Sequence, residues 1–318
     1  MNKVLETTKL VIDQSQFVRI NQDKVLEFAK NFDHTNVQHW LSAAPFGFSE
    51  LSDDDKLNFL FVFNALSFSY WGNPKWTITY KDQQFDGAWG MIVALKRAID
   101  EGRDILSADY RSKMSRQELA EILRGNSEIP LLNERHVIMV ETGKALIAKN
   151  NGNFSDFILQ ANKDAVHLLE FIIETFPSFR DVSIYKGKEI DFYKRAQLLI
   201  ADIYQLFKHQ GPGDFKNANE ITACADYKLP QALRKFGILS YVDSLAEKID
   251  SKTPIPHDSE EEIEIRANTI WAVEFIKQEV QKRFDGITSM DINDHLWLYT
   301  QTKYPDDKPY HLTRTTAY

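Results

Sequence analysis

Apolar positions recur along this chain mostly at the three-and-four spacing of helices. Val25, Phe28, Ala29 and Phe32 form one such stripe, and Leu57, Leu60 and Phe61, with Asn64 on the same face, begin a second. Trp89, Ile92, Leu95, Ala98 and Ile99 make a third, which the Glu101–Gly102 pair should end. Ser115 and Glu118 have the spacing of a capping box and predict a short helix over Leu119 to Leu123. A long stripe from Phe154 to Ile173 is closed by Pro177, and Ile190 to Lys208 and Ile263 to Phe284 repeat the pattern. Alternation over Trp76 to Tyr80, and over Val182 to Tyr185 ahead of a Lys186-Gly187-Lys188 turn, predicts two short ribbons. The expectation is a mainly α fold with a few short β-strands. It is read as a single domain over residues 1–318, long enough for two lobes around a cleft. Asp250 to Glu262 is the most linker-like stretch.

Composition narrows the choice of function. With 43% apolar and 12% aromatic residues, the chain has ample core material. Its net charge of −8 argues against a long nucleic acid, which needs a basic stripe. It leaves room for a small phosphate held by local cations. The one cysteine, Cys224, makes no intrachain disulfide and suits a reducing cytoplasm. No apolar run is long enough for a membrane span. The eight histidines lack metal-site spacing, and no glycine-rich nucleotide loop or serine-hydrolase elbow occurs, so neither metal nor cofactor is expected.

The aromatic run Phe59, Phe61, Phe63, Phe68, Tyr70, Trp71 and Trp76 reads as core, or as walls around a flat ligand. Asp226 has two readings of its own. It follows the small apolar run Ala223-Cys224-Ala225 and precedes a helix expected to begin near Pro230, so it can serve as a cap. It can equally be a carboxylate at the floor of a pocket. The interval of eleven residues from Asp226 to Gly237 matches that in helix-hairpin-helix DNA glycosylases, where an Asp leads into a helix ending in Leu-Gly. Cleaving an N-glycosidic bond builds positive charge on the ribose, which a partly buried carboxylate stabilises. Upstream, Lys194 and Arg195 open a patterned segment and form either a solvated face or a phosphate clamp.

Several long motifs together are familiar. RDVSIYKGKEIDFYKRAQLLIAD, ITACADYKLPQALRKFGIL and EEIEIRANTIWAVE resemble the queuosine salvage family of queuosine 5′-phosphate N-glycosylases. FSYWGNPKWTITY, GAWGMIVALKRAIDEG, LLNERHVIMVETGKAL and the C-terminal HLTRTTAY are similar to the same family, from about residue 55 onward. The resemblance implies a fold similar to helix-hairpin-helix DNA glycosylases. It implies hydrolysis of queuosine 5′-monophosphate to queuine and ribose 5-phosphate, without metal or organic cofactor. The partner is then a small nucleotide, with no nucleic-acid polymer, membrane or obligate protein. Carried over by motif, Asp226 takes the catalytic role, Tyr227 flanks the ribose, and Lys194 with Lys228 holds the phosphate. Tyr193 joins the substrate-binding set from the same FYKRAQ motif, and Phe46, Phe68 and Trp89 are stacking candidates for the base.

The chain departs from the family at Asn64, where an acid is expected, and at Ser67, where an Asn is expected. The first 50 residues match poorly, and an expected His-Pro pair is represented only by Ala44-Pro45-Phe46. If Asn64 lines the base pocket, it reads a guanine-like edge less completely than an acid. Two alternatives therefore stand beside the main reading. One is an N-glycosidase for another purine or deazapurine nucleotide. The other is a helical protein that binds a nucleotide without turning it over.

Overall fold

The computed structural model describes residues 2–318, with the side chain of Asn150 set aside. The fold is mainly α, with 55% of the chain in helix. Fourteen α-helices are joined by short 3-10 turns and three two-stranded antiparallel ribbons among the described residues. Among the described residues no helix is long and apolar enough to cross a membrane.

Most of the periodic stripes become helices close to their expected bounds. The first three give Gln22–Asn31, Asp53–Ala65 and Gly87–Asp100. The last is followed by Gly102 at φ +74, a conformation that costs glycine little. Both halves of the Ser115–Glu118 capping box form. Two ribbons arise where alternation is seen, Thr77–Tyr80 with Gln83–Asp86 and Val182–Tyr185 with Lys188–Asp191. A third pairs Val18–Ile20 with Leu239–Tyr241, segments far apart in the chain whose short runs carry no such signal.

Two stripes resolve differently. The one from Phe154 to Ile173 splits into helices Ser155–Gln160 and Ala165–Thr175, because Asn162 and Lys163 take positive φ and turn the chain. The pattern from Ile190 begins in a strand, and its helix spans Lys194–Leu206. Tyr193, at φ +51, reorients the chain between strand and helix.

Buried apolar residues form two clusters, and the helix Glu260–Gln281 feeds both. Ile263, Ala267 and Ile270 join the first, and Ile265, Ala272, Val273 and Ile276 join the second. This helix is buried on nearly every side, so its polar residues need partners inside the protein. Glu264 accepts from the backbone N–H groups of Gln16, Phe17 and Val18 and from the Tyr185 hydroxyl, which ties down the N-terminal segment. Arg266, fully buried, forms a bidentate pair with Asp181 at 2.9 and 2.5 Å. Its guanidinium lies 3.9 Å from the Phe192 ring centre and 4.5 Å from that of Tyr318. The adjacent carboxylates hold it protonated against the cost of burial.

Two stability changes follow from this packing. Arg266→Met leaves the Asp181 carboxylate buried without its partner and is expected to cost about 3–5 kcal/mol in a denaturant melt. The helix Leu132–Asn150 approaches Ala108–Lys113 at Gly143, where an added Cβ would lie 2.6 Å from the Ser112 nitrogen and 2.8 Å from the Ala108 carbonyl oxygen. Alanine gains about 1 kcal/mol in helix propensity. The clash is with backbone, which cannot swing aside, so Gly143→Ala is expected to destabilise by about 1–3 kcal/mol net.

Candidate functional site

The segment Thr222–Ala225 is buried and irregular, and it delivers Asp226 to the start of the helix Lys228–Lys235. Asn293 fixes the approach by accepting the Cys224 N–H through Oδ1 at 2.9 Å. Arg266 adds a donor, its Nε reaching the Ala225 carbonyl at 3.3 Å. Asp226 is 9% exposed, and its Oδ1 accepts from the N–H groups of Lys228 at 2.7 Å and Leu229 at 3.0 Å. These are donors that a helix start leaves unpaired. Asp226 is thus a cap, as one reading of the sequence held. Its second oxygen, Oδ2, accepts nothing from the described residues, and Asp226 lines a large cavity. The cap fixes the carboxylate and leaves one oxygen for chemistry.

The cavity holds about 930 Å³, within the range of ~300–1,000 Å³ usual for small-molecule sites. Its walls come from both apolar clusters. Trp40, Phe63, Phe68 and Trp297 supply flat faces. Trp40 is central to them, with ring centres 5.4 Å from Phe63 and 5.4 Å from Trp297. Lys194, Tyr227 and Lys228 also line the cavity, so four residues expected at the site come together around Asp226 once Phe68 is included. Tyr227 leans on Tyr310 at 4.8 Å, and burial pushes its hydroxyl well above the usual tyrosine range.

Lys194 is 5% exposed, and its amine forms no ion pair among the described residues. Its charge reaches Asp202 and Cys224. Lys228 stands among Asp226, Lys75, Asp86 and Lys303, and burial lowers the pKa of its amine. Burial pushes the Cys224 thiol strongly upward, which disfavours its thiolate form.

The other expected residues lie outside the lining. Trp89 stands behind it, packed on Trp40 at 5.2 Å and on Trp297 at 5.3 Å. Phe46 packs on Phe48 and Phe59. The Tyr193 hydroxyl donates to Asp191 at 2.5 Å. Arg195, half of the proposed clamp, is buried and donates to the Ala65 carbonyl at 2.5 Å and to the Ser178 carbonyl. The Asn64 amide donates to Asp202 at 2.8 Å, and Trp40 Nε1 donates to the other oxygen of Asp202 at 2.8 Å. Asn64 therefore supports the wall from behind rather than facing a ligand. Burial pushes Asp202 up to about 7, against the pull of these two donors. Burial also raises Asp294, which lines the cavity, and the neighbouring Asp202 charge adds to that rise.

Some residues of the cavity carried no signal of their own in the sequence. Trp40 sits in the poorly matching N-terminal segment, and Asp294 and Trp297 lie in the helix Ser289–Tyr299, beyond the last stripe read from the sequence. Tyr70 and Trp71 belong to the aromatic run read as core or as walls around a flat ligand, and Arg314 belongs to HLTRTTAY, without a role of its own. One group of potential metal ligands lies outside the lining. His257, Asp258 and Glu262 bring one ligand atom each within 4.8 Å of one another. Glu262 is already engaged by the Tyr318 hydroxyl at 2.8 Å and by Arg266.

Comparison with known proteins bears on this arrangement. Residues 48–318 match the family described as queuosine salvage protein. A protein of Sphaerobacter thermophilus named queuosine 5′-phosphate N-glycosylase/hydrolase is 39% identical over 99% of this chain and 97% of its own length. Proteins of the same name from Bos taurus and Mus musculus are 36% and 35% identical, each over 84% of this chain and 83% of their own. The family match takes in Asp226, Tyr227, Lys194 and Lys228, and the bacterial relative aligns through the N-terminal segment that carries Trp40 as well. With the matched region reaching most of the chain and the cavity assembled largely from it, the chain belongs to the queuosine salvage family.

Proposed function

We propose that the chain hydrolyses the N-glycosidic bond of queuosine 5′-monophosphate, releasing queuine and ribose 5-phosphate. The observation that carries this reading is the Asp226 carboxylate, pinned through one oxygen by two N–H groups and open to an aromatic-walled cavity through the other. The names of the relatives supply the substrate.

The reaction needs little beyond placement and electrostatics. The bond from C1′ to the base nitrogen breaks, and its electron pair leaves with the base. Positive charge develops on the ribose, where Asp226 Oδ2 stabilises it. A water oriented by the same carboxylate bonds to C1′. One water proton passes by way of Asp226, and the departing base ends protonated on nitrogen. Queuine is a 7-deazapurine, so protonation at N7 cannot assist departure. The base must instead be accommodated by the ring faces of Trp40, Phe68 and Trp297 and by polar groups at its edge. Lys194 and Lys228 supply positive charge for the phosphate, and Tyr227 flanks the ribose. Fixing the ribose over one carboxylate makes the attack effectively intramolecular.

This reading includes a fold similar to helix-hairpin-helix DNA glycosylases. The helix Lys228–Lys235 supports it by starting at the Asp226 cap and ending at Gly237, whose φ of +69 closes it. The alternative of another base rested on Asn64 and Ser67, and Ser67 lines the cavity. Asn64 donates to Asp202 and is not among the cavity-lining residues, which favours the main reading at that position, and the choice of base is left to the assay.

The test is mass-spectrometric detection of free base from purified protein given queuosine 5′-monophosphate, with queuosine and GMP in parallel. Asp226→Asn separates the two roles of the residue. Asn caps a helix about as well as Asp, so stability is expected to fall by less than ~0.5 kcal/mol. Turnover is expected to fall by about 10²–10³-fold or more, the scale of losing one stabilising group at a charged transition state. Asp226→Ala should lose turnover and also about 1 kcal/mol of stability with the cap. Free base released equally by wild type and Asp226→Asn would remove the residue from catalysis.

A further inference from the structure

Among the described residues, Trp40 is the one member of the segment between helices Gln22–Asn31 and Asp53–Ala65 that lines the cavity. That segment holds only two 3-10 turns, His34–Asn36 and Trp40–Ala43, so regular backbone pairing does little to fix it. Two carboxylates do the fixing. The Trp40 backbone N–H donates to Asp294 Oδ2 at 3.2 Å, and the indole Nε1 donates to Asp202 Oδ1 at 2.8 Å. Asp202 belongs to the helix Lys194–Leu206 and Asp294 to the helix Ser289–Tyr299, the same helices that bring Lys194 and Trp297 to the cavity.

Both carboxylates are fully buried, and no lysine or arginine pairs with either among the described residues. Asp202 Oδ2 accepts from the Asn64 amide at 2.8 Å, and Asp294 Oδ1 accepts from the Asn293 amide at 3.0 Å. Lys194 acts on Asp202 at longer range from its own helix, and Asp291 acts on Asp294 from its own. The Cys224 thiol, near both acids, is kept protonated by burial. The segment of Trp40 contributes His39, whose Nε2 lies 3.7 Å from Asp202 Oδ1 and 4.0 Å from Asp294 Oδ2. His39 Nδ1 accepts the Leu41 N–H at 2.7 Å, so the neutral ring carries its proton on Nε2, which has no hydrogen-bond partner. Burial lowers His39 to about 3, so the ring brings no charge to the two acids. Acids that share one neutral neighbour and no paired cation do not both ionise in a buried site. Burial pushes Asp202 up to about 7 and Asp294 well above the usual carboxylate range, outweighing the pull of the donors from Trp40, Asn64 and Asn293.

We infer that Asp202 and Asp294 are positioning residues that clamp Trp40 onto the cavity, and that the clamp holds while the pair keeps its protons. Withdrawal of the segment admits water to both acids and removes the Trp40 donors, so they ionise in their ordinary range near pH ~4. The closed form therefore retains protons that the open form releases. Closure is firmest below the ordinary carboxylate range. It weakens by up to about tenfold per pH unit for each retained proton, until about pH 7 for Asp202 and beyond that for Asp294. The consequence for substrate binding rests on the proposed glycosidase function, and the clamp itself does not.

The experiment is hydrogen exchange of the peptide carrying the Trp40 amide, in the full chain without ligand, from about pH 5 to about pH 8 and corrected for the intrinsic pH dependence of exchange. Protection in wild type is expected to fall about tenfold or more between about pH 5 and pH 7, and to fall less in the helix Glu260–Gln281. Asp202→Asn and Asp294→Asn should each flatten the fall, and the double variant should reduce it to about twofold or less. A merely structural role lowers protection equally at every pH and leaves the slope unchanged, which overturns the clamp. Equal protection across the range in wild type also overturns it, whether or not the variants fold well. In turnover, Asp202→Ala removes the acceptor of the indole and is expected to raise KM for queuosine 5′-monophosphate about tenfold, with kcat changed less. Asp202→Asn keeps one acceptor and should restore most of the loss. An unchanged KM in Asp202→Ala overturns the positioning role. If wild type releases no free base, the glycosidase reading fails, and exchange at Trp40 still decides the clamp.

Discussion

The buried pair of Arg266 and Asp181 is the interaction on which the site depends, because each partner serves a second piece of the cavity. Asp181 Oδ2 also accepts the N–H of Lys194 at 3.1 Å, so the pair anchors the start of the helix that presents that lysine. The Asp181 carbonyl accepts from Phe192 and Tyr193, which bends the chain from strand into helix. Arg266 reaches the Ala225 carbonyl one residue before Asp226, and its flat faces carry Phe192 and Tyr318. A buried ion pair often adds little net stability, since desolvation offsets the attraction. Its use here is geometric. Lysine in place of Arg266 has no planar fork to serve carboxylate and carbonyl together.

Asp226 shows how a helix cap can hold a carboxylate in place at a cavity wall. A helix start offers N–H donors that hold a carboxylate in place and favour its charge. With Oδ1 held at 2.7 and 3.0 Å from two such donors, the position of Oδ2 is set by the backbone rather than by a flexible rotamer. A group fixed before substrate arrives has less reorganisation to pay at the transition state. The run Thr222-Ala-Cys-Ala225 leading to Asp226 is buried, and Cys224 also lines the cavity.

How far the sequence reveals this depends on the range of the interaction involved. Helices, the Ser115 cap and two ribbons follow from local periodicity and turn residues, so they are legible. Asp226 is legible because a carboxylate after Ala-Cys-Ala breaks a local pattern. The split at Asn162 and Lys163 is hidden, since apolar spacing continues through a turn made by backbone conformation. Trp40 and Trp297 are hidden for another reason. Each is an aromatic among many, and only the pairing of distant segments distinguishes a cavity wall from core. Arg195 misleads in the opposite sense. A basic pair at a helix start suggests a phosphate clamp, yet Arg195 points inward to carbonyls of two other segments. Asn64 misleads likewise, because its partner Asp202 lies far along the chain.

The placement of those arginines bears on how an acidic protein favours an anionic substrate. The net charge of −8 works against approach of a phosphate at long range. Screening in salt confines that effect to about one Debye length, roughly 8–10 Å. Inside the cavity the balance is local, and fully buried guanidinia are screened far less than surface lysines. Arg135 and Arg195 flank the Phe68 ring at 4.1 and 5.2 Å, with their donors satisfied mainly by backbone carbonyls. Carbonyl dipoles solvate a guanidinium without cancelling its charge, whereas a carboxylate partner would cancel it. Burial lowers the pKa of both arginines to about 10, which leaves them charged at neutral pH. Their field therefore persists in the cavity wall, held in place by the fold rather than by mobile side chains at its mouth.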